Sequence, residues 1–267
     1  MPSISLNGAT IAYTDTGPRD APAIVFGHGL LFGGWMFGPQ TAALRSRYRC
    51  VTLDWRGQGE SPATPGGYDM DTLTADALAL IEALGLAPAH WVGLSMGGFV
   101  GQRIAARHGE MLRSLTLLDT SAGPEDPRKA REYRRMARVQ RVIGVRPLLV
   151  KIRPLLFGPA FLASPAARPV VSGWARRLAR LDRAGLSKAV RGVADRPGVA
   201  AEIGRITVPT LVITGADDSA TPPADAHLIA ARIPGAQLRI VPDCGHTSTL
   251  EQPAVITALL ETFLGER

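Results

Sequence analysis

Gly93-Leu94-Ser95-Met96-Gly97-Gly98 lies between the apolar run His90-Trp91-Val92 and a helix-patterned stretch from Phe99 to Arg107. A serine between glycines at a strand-to-helix junction reads as a nucleophile elbow. The turn is so tight that only glycine leaves room for the backbone, and it pushes the hydroxyl out beyond the sheet edge. The bare G-x-S-x-G pattern is a weak signal in a chain with 29 glycines. Chain order strengthens it, because the acidic pair Asp217-Asp218 and then His246 follow toward the C-terminus. A serine hydroxyl is a poor nucleophile until a base takes its proton, and that base needs a carboxylate to hold its tautomer.

Working outward from the elbow, Ser5 to Ile11 carries an Asn7-Gly8 turn between short alternating runs and predicts an opening hairpin. Apolar β-type runs follow at Ala23 to Phe26, Arg49 to Leu53, His90 to Gly93, Ser114 to Leu118, Thr210 to Thr214 and Gln237 to Val241. Helical patterns separate them, such as Asp71 to Leu84, with Asp71 or Thr72 as the expected cap and Gly85 as its stop. Continuous apolar strands alternating with helices predict an α/β fold, a doubly wound, mostly parallel sheet of about eight strands covered on both faces. With 267 residues and 46% hydrophobic content, the chain is long enough for one large domain with an insertion.

The alternation breaks between Gly123 and Arg205, where prolines punctuate helical pieces and no strand pattern occurs. Residues 123–200 are expected to form a helical, Arg-rich cap, with 1–122 and 201–267 as the core. A cap there would lie over the C-terminal strand edge, where open α/β sheets bind ligands. These residues hold 18 Lys and Arg against 5 Asp and Glu, while the remainder is net acidic. Arg131, Arg134, Arg135, Arg138 and Arg141 recur at helical spacing, with Met136, Val139, Val142 and Ile143 as the apolar complement. One amphipathic helix with a solvated basic face accounts for much of this, with attraction of acidic substrates as an alternative, and membrane contact is not expected. Leu148 to Val150 and Leu155 to Phe157 are expected to be buried against the pocket, with Trp174 as a partner. No nucleic-acid-reading motif accompanies the charge, so no nucleic-acid partner is expected.

Met1 to Gly17 has neither a basic residue nor an apolar core, so no secretory signal is expected, and no apolar stretch approaches membrane-spanning length. Cys50 and Cys244 belong to opposite ends of the sheet and are expected to be free thiols, which fits a cytoplasmic setting. Metal-ligand spacings are missing, and Gly27 to Gly34 lacks the third glycine of the dinucleotide fingerprint. A cofactor-free, metal-free site in a monomer or homodimer is the simplest expectation.

Candidate catalytic residues then fall at the ends of strands. Ser95 is the nucleophile and His246, in Pro242-Asp243-Cys244-Gly245-His246, is the base. The acid comes from a loop at the same edge, as Asp218 or Asp217, with Asp119 at the end of the preceding strand as a rival. Donors for the oxyanion are expected from the backbone N–H groups of Met96 and Leu30. His28, Leu31, Trp35 and Trp174 are candidates for the pocket wall, His28 also reading as a brace for the loop that carries Leu30.

Phe26-Gly27-His28-Gly29, Asp54-Trp55-Arg56-Gly57-Gln58-Gly59-Glu60-Ser61, the Ser95 elbow, Gly215-Ala216-Asp217-Asp218 and Gly245-His246 stand in an order and spacing that resemble the α/β-hydrolase superfamily. The resemblance is to its small capped esterase, enol-lactonase and cofactor-free haloperoxidase group, and covers nearly all of the chain outside 123–200. It implies an acid three residues after the glycine, at Asp218, and a structural Asp54–Arg56 pair. A serine at 95 separates the chain from branches that use an aspartate nucleophile. The activity so implied is hydrolysis of carboxylic esters or lactones, a small-molecule substrate in either case. Carbon–carbon bond hydrolysis, acyl transfer or perhydrolysis on the same triad are alternatives, as is a low-turnover ligand receptor.

Overall fold

The computed structural model describes residues 1–266. Eight strands form one sheet, in the order β1-β2-β4-β3-β5-β6-β7-β8. They are β1 (Ser3–Leu6), β2 (Ala9–Thr16), β3 (Ala23–Gly27), β4 (Arg49–Leu53), β5 (Ala89–Leu94), β6 (Leu112–Leu118), β7 (Thr210–Gly215) and β8 (Gln237–Val241). β2 runs antiparallel to β1 and β4, and every other neighbouring pair is parallel. Asn7 and Gly8 both take positive φ in the first turn, the geometry that a two-residue hairpin of the favoured twist needs.

Strands β3, β4, β5 and β7 are buried at every position, so their side chains pack on both faces of the sheet. The covering helices are α1 (Gly38–Leu44), α2 (Met70–Ala83) and α3 (Met96–Arg107) in the first half of the chain. Between β6 and β7 lie α4 (Pro127–Ile143), α5 (Leu149–Leu156), α6 (Pro159–Ala163), α7 (Ala167–Leu178) and α8 (Arg183–Ala194). The chain ends with α9 (Pro223–Arg232), α10 (Ser248–Glu251) and α11 (Pro253–Gly265). No helix among the described residues is long and apolar enough to cross a membrane. Cys50 and Cys244 are both free and buried.

Local rules set most boundaries. Asp69, rather than Asp71 or Thr72, caps α2, because its carboxylate reaches the Thr72 amide at 2.9 Å; Gly85 follows the helix at φ 61°. Asp126 caps α4 through the amides of Arg128 and Lys129. Helix α4 buries Ala130, Ala137 and Gln140, mostly against α8, while Val142, Ile143 and Val150 are exposed. The apolar stripe anticipated on α4 therefore ends before its last turn, and of Leu148 to Val150 the first two are half-buried and Val150 is exposed.

The expected Asp54–Arg56 pair is not made. Arg56 reaches away to Asp76 of α2, at 2.6 and 2.8 Å, in a buried two-pronged bond. Asp54 instead accepts from the amides of Gly34 and Glu60 and organises its own loop. Two backbone segments close the helical insertion where it leaves and rejoins the sheet: the Val199 amide donates to the Ala122 carbonyl at 2.8 Å. Beside that bond the buried Arg196 pairs with Glu125, also at 2.8 Å.

The tightest backbone packing is at the elbow. A methyl group on Gly97 would overlap the carbonyl oxygen of Gly27, and one on Gly93 would overlap that of Gly97. Alanine is the better helix former, yet Gly97→Ala should destabilise the fold by about 2 kcal/mol or more through overpacking. Gly123→Ala, which meets open space, should stay near the wild-type value. Urea denaturation of the two variants checks the contrast.

Candidate active site

Five loops leave the C-terminal ends of β3, β5, β6, β7 and β8 and carry Leu30, Ser95, Asp119, Asp218 and His246. Five non-glycine residues have positive φ among the described residues, and four of them are in these loops: Leu31, Ser95, Asp119 and Asp243. Such conformations cost of order 1–3 kcal/mol each and persist only where the surroundings hold them. Ser95 has φ 51° and ψ −109°, between the last residue of β5 and the first of α3. Its amide donates to Leu118 on β6, and its carbonyl accepts from the Thr120 hydroxyl, so the strained peptide is fixed from the neighbouring strand. The side chain of Ser95 borders a cavity that His246 also lines.

His246 is buried, and its Nδ1 lies 2.8 Å from Oδ2 of Asp218. Asp218 in turn receives the amides of Ala220 and Thr221 on Oδ1 and the Thr221 hydroxyl on Oδ2. Donation from Nδ1 to the carboxylate leaves Nε2 of His246 as the acceptor. Burial opposes the charged imidazolium, but the charge and hydrogen bond of Asp218, with the charges of Asp119 and Glu251, outweigh it and raise the His246 pKa. Among the described residues, the Ser95 hydroxyl has no protein hydrogen-bond partner. A nucleophile–base bond that tightens only with substrate bound is common in unliganded sites.

Asp119, the rival acid, is placed otherwise. Its Oδ1 accepts from the Gly215 amide at 2.9 Å, and its Oδ2 from the Ser248 hydroxyl at 2.5 Å and the Ser248 amide at 3.3 Å. It bonds the loops around the imidazole rather than the imidazole itself. Complete burial and then the nearby charge of Asp218 push its carboxyl up to about 8. Asp217 is exposed, and its amide donates to the Cys244 carbonyl.

The amides of Leu30 and Met96 make no hydrogen bond to another described residue, and Met96 opens α3, where helix amides lack intrahelical acceptors. The Leu30 loop is braced by two residues. Gln58 accepts the Leu31 amide at 2.8 Å. His28 donates from Nδ1 to the Gly29 carbonyl and accepts the Trp55 amide on Nε2, which requires the neutral ring that its burial also favours.

Of the four residues expected to line the pocket, Leu31 does so. His28 is buried as a loop brace and does not reach the cavity. Trp174 is fully buried, donating to the Leu31 carbonyl and packing against Phe32 and Phe157. Trp35 lies on an outer face beneath the Arg177 guanidinium, 4.7 Å from its ring centre. The cavity wall comes instead from α4, α5 and α8, with Met136, Ile152 and Val190 among its apolar members.

Three participants escaped the reading of the sequence. Thr221 and Gln58 stand within quoted or adjoining segments and signal only that a polar side chain follows a strand-end turn. Glu251 accepts the amides of Gly158, Gly245 and Thr247, tying the His246 loop to the start of α6. An acid at the opening of an apolar C-terminal helix was its only trace.

A sheet of this order, with a serine elbow after its central strand and a carboxylate–histidine pair at the same edge, defines the hydrolase class of α/β proteins. The sequence pattern of the Alpha/beta hydrolase family matches residues 24–259, and the chain belongs to that family. It is 30% identical to 3-oxoadipate enol-lactonase 1 of Acinetobacter baylyi, over 96% of this chain and 94% of that one. Among solved structures, the enol-lactonase of Burkholderia xenovorans LB400 superposes with a TM-score of 0.91 at 31% identity, covering 99% of this chain and 100% of that one. A thermophilic esterase from Thermogutta terrifontis gives 0.92 at 27% identity, covering 100% and 99%.

With His246 as the general base, which must be neutral to act, its raised pKa should place the acid limb of kcat/KM above the ordinary histidine range. Removing the Asp218 charge by Asp218→Asn should shift that limb to lower pH and reduce turnover about 1000-fold or more. Asp119→Asn should leave most turnover in place, since its carboxylate bonds Gly215 and Ser248. pH–rate profiles of the three proteins on a neutral ester test this order.

Proposed function

We propose that the protein is a serine hydrolase that cleaves carboxylic esters or lactones through an acyl-enzyme, with Ser95 as nucleophile, His246 as base and Asp218 as acid. The observation that carries this reading is the 2.8 Å Asp218–His246 bond beside a cavity that the strained Ser95 also faces. The substrate classes named for the enol-lactonase and esterase relatives support the same chemistry.

In acylation the Ser95 Oγ forms a bond to the substrate carbonyl carbon while its proton passes to His246 Nε2. The carbonyl oxygen becomes an oxyanion and turns toward the Leu30 and Met96 amides. Collapse breaks the bond to the leaving oxygen, which takes the proton from the imidazolium. Water then attacks the acyl carbon, giving a proton to the same nitrogen, and the carboxylic acid leaves as Ser95 is reprotonated. With a lactone the leaving oxygen stays tethered, and a single hydroxy acid results.

Residues 123–200 serve in this reading as a cap that sets the substrate. Support comes from α4, α5 and α8, which wall the cavity containing Ser95 and His246. That wall is mostly apolar, which favours uncharged acyl or lactone portions.

Ser95→Ala should remove hydrolysis of p-nitrophenyl acetate and labelling by an organophosphonate, with the melting temperature little changed. His246→Ala should be about equally inactive, because members of such a unit do not contribute additively. Labelling of Ser121 or Ser248 in its place would overturn the assignment.

A further inference from the structure

The face of α4 that borders the cavity presents Tyr133, Met136, Ala137 and Gln140. Two helical turns separate the first from the last, about 10 Å along the axis. Tyr133 stands toward the reacting end: one turn before it on α4, Lys129 Nζ donates to the carbonyls of Ser219 and Ala220 beside Asp218, and Tyr133 lines the same cavity as Ser95. Gln140 stands at the far end, with Val145, where the cavity adjoins an outer depression.

Gln140 is 5% exposed, and its Oε1 is buried without a partner. Neither atom of its carboxamide hydrogen-bonds another described residue. Gln40 and Gln102 also bury an unpartnered Oε1, but each anchors its Nε2 on a backbone carbonyl. Gln140 anchors neither end. Buried amides are nearly always paired, and an unpaired one is less favourable than an apolar residue of the same shape. Among residues with such orphaned atoms, only Gln140 borders the cavity that contains Ser95 and His246.

We propose that Gln140 is a specificity residue that reads an uncharged hydroxyl or amide group on the substrate, carried on a chain that runs along α4 from the carbonyl attacked by Ser95. The inference rests on the ester or lactone hydrolase reading above. A carboxamide both donates and accepts, so either group satisfies it. A charged terminus does not suit the place. It would lose its hydration among Met136, Val145 and Leu148, where no lysine or arginine of the described residues lines the cavity; the guanidiniums of Arg146 and Arg183 line the outer depression beyond Gln140, and Arg183 is bonded to the Val142 carbonyl. A plain methyl terminus would leave the orphan amide as it is.

The test uses p-nitrophenyl esters from butanoate to decanoate and their ω-hydroxy counterparts, with a matched set of acetate esters of simple alcohols and of diols. Wild-type enzyme should show, at one chain length in one of the sets, a kcat/KM preference of about tenfold for the hydroxyl-bearing member, expressed mainly in KM. Gln140→Leu and Gln140→Met should reverse or erase that preference while hydrolysing the methyl-terminated ester at least as well. Both should melt no lower than wild type, because the orphaned amide is gone. A merely structural role would change both members of each pair alike. Equal selectivity in wild type and variants, with Ser95-dependent turnover intact, would overturn the assignment and spare the hydrolase reading. Lack of Ser95-dependent turnover on every ester would overturn that reading and this assignment with it.

Discussion

The first turn of α3 lies so close to the end of β3 that Gly97 and Gly27 meet backbone to backbone. The rest of the edge depends on that contact. It sets how far α3 sinks toward the sheet, and so how sharply the chain must bend at Ser95 to leave β5. The bend is stored as positive φ and held by bonds to Leu118 and Thr120 from the neighbouring strand. The same approach brings the Met96 amide and the loop following Gly27 to a common side. The Thr120 hydroxyl then holds the Ser95 peptide, while Gln58 and His28 brace the loop after Gly27.

Around the imidazole, the difficulty is electrostatic. Asp119, Asp218 and Glu251 are all buried near His246, an arrangement that mutual repulsion would scatter unless each carboxylate had its own donors. Each does. Asp218 takes the imidazole, Thr221 and two amides; Asp119 takes Ser248 and Gly215; Glu251 takes three amides of the surrounding loops. One carboxylate touches the ring, while the other two fix the backbone on which the ring hangs. All three raise its affinity for a proton.

The strands and the elbow were legible because they are written in short-range rules: unbroken apolar runs, glycines where backbones touch, an Asn-Gly turn. The position of His246 could be read from chain order, since successive parallel strands must deliver their loops to one edge; order alone left Asp217, Asp218 and Asp119 open, and only the family resemblance put Asp218 forward. What escaped was most of the choice of distant partners, the Asp218–His246 and Phe157–Trp174 contacts aside. Arg56 selects Asp76 over the adjacent Asp54, because Asp54 is already surrounded by amides of its own loop. Trp35 and Trp174 look like pocket residues by composition, yet one packs beneath Arg177 and the other beneath the Leu31 carbonyl. The periodicity of α4 predicts an inward stripe but not what it faces. Gln140, polar by type, therefore gave no sign that it would be buried there.

The helices between β6 and β7 begin and end at a single doorway, where the Ala122 carbonyl meets the Val199 amide and Glu125 meets Arg196. A segment whose two ends are held together makes no demand on the length of what lies between, because closing the loop is already done by the doorway. Helices could be added, shortened or exchanged there without altering the register of the strands on either side. In the reading proposed above, the reacting groups and much of the cavity wall would then sit on separate pieces of chain, joined at a few points such as the Gly158–Glu251 bond, and one piece could diverge while the other stays still.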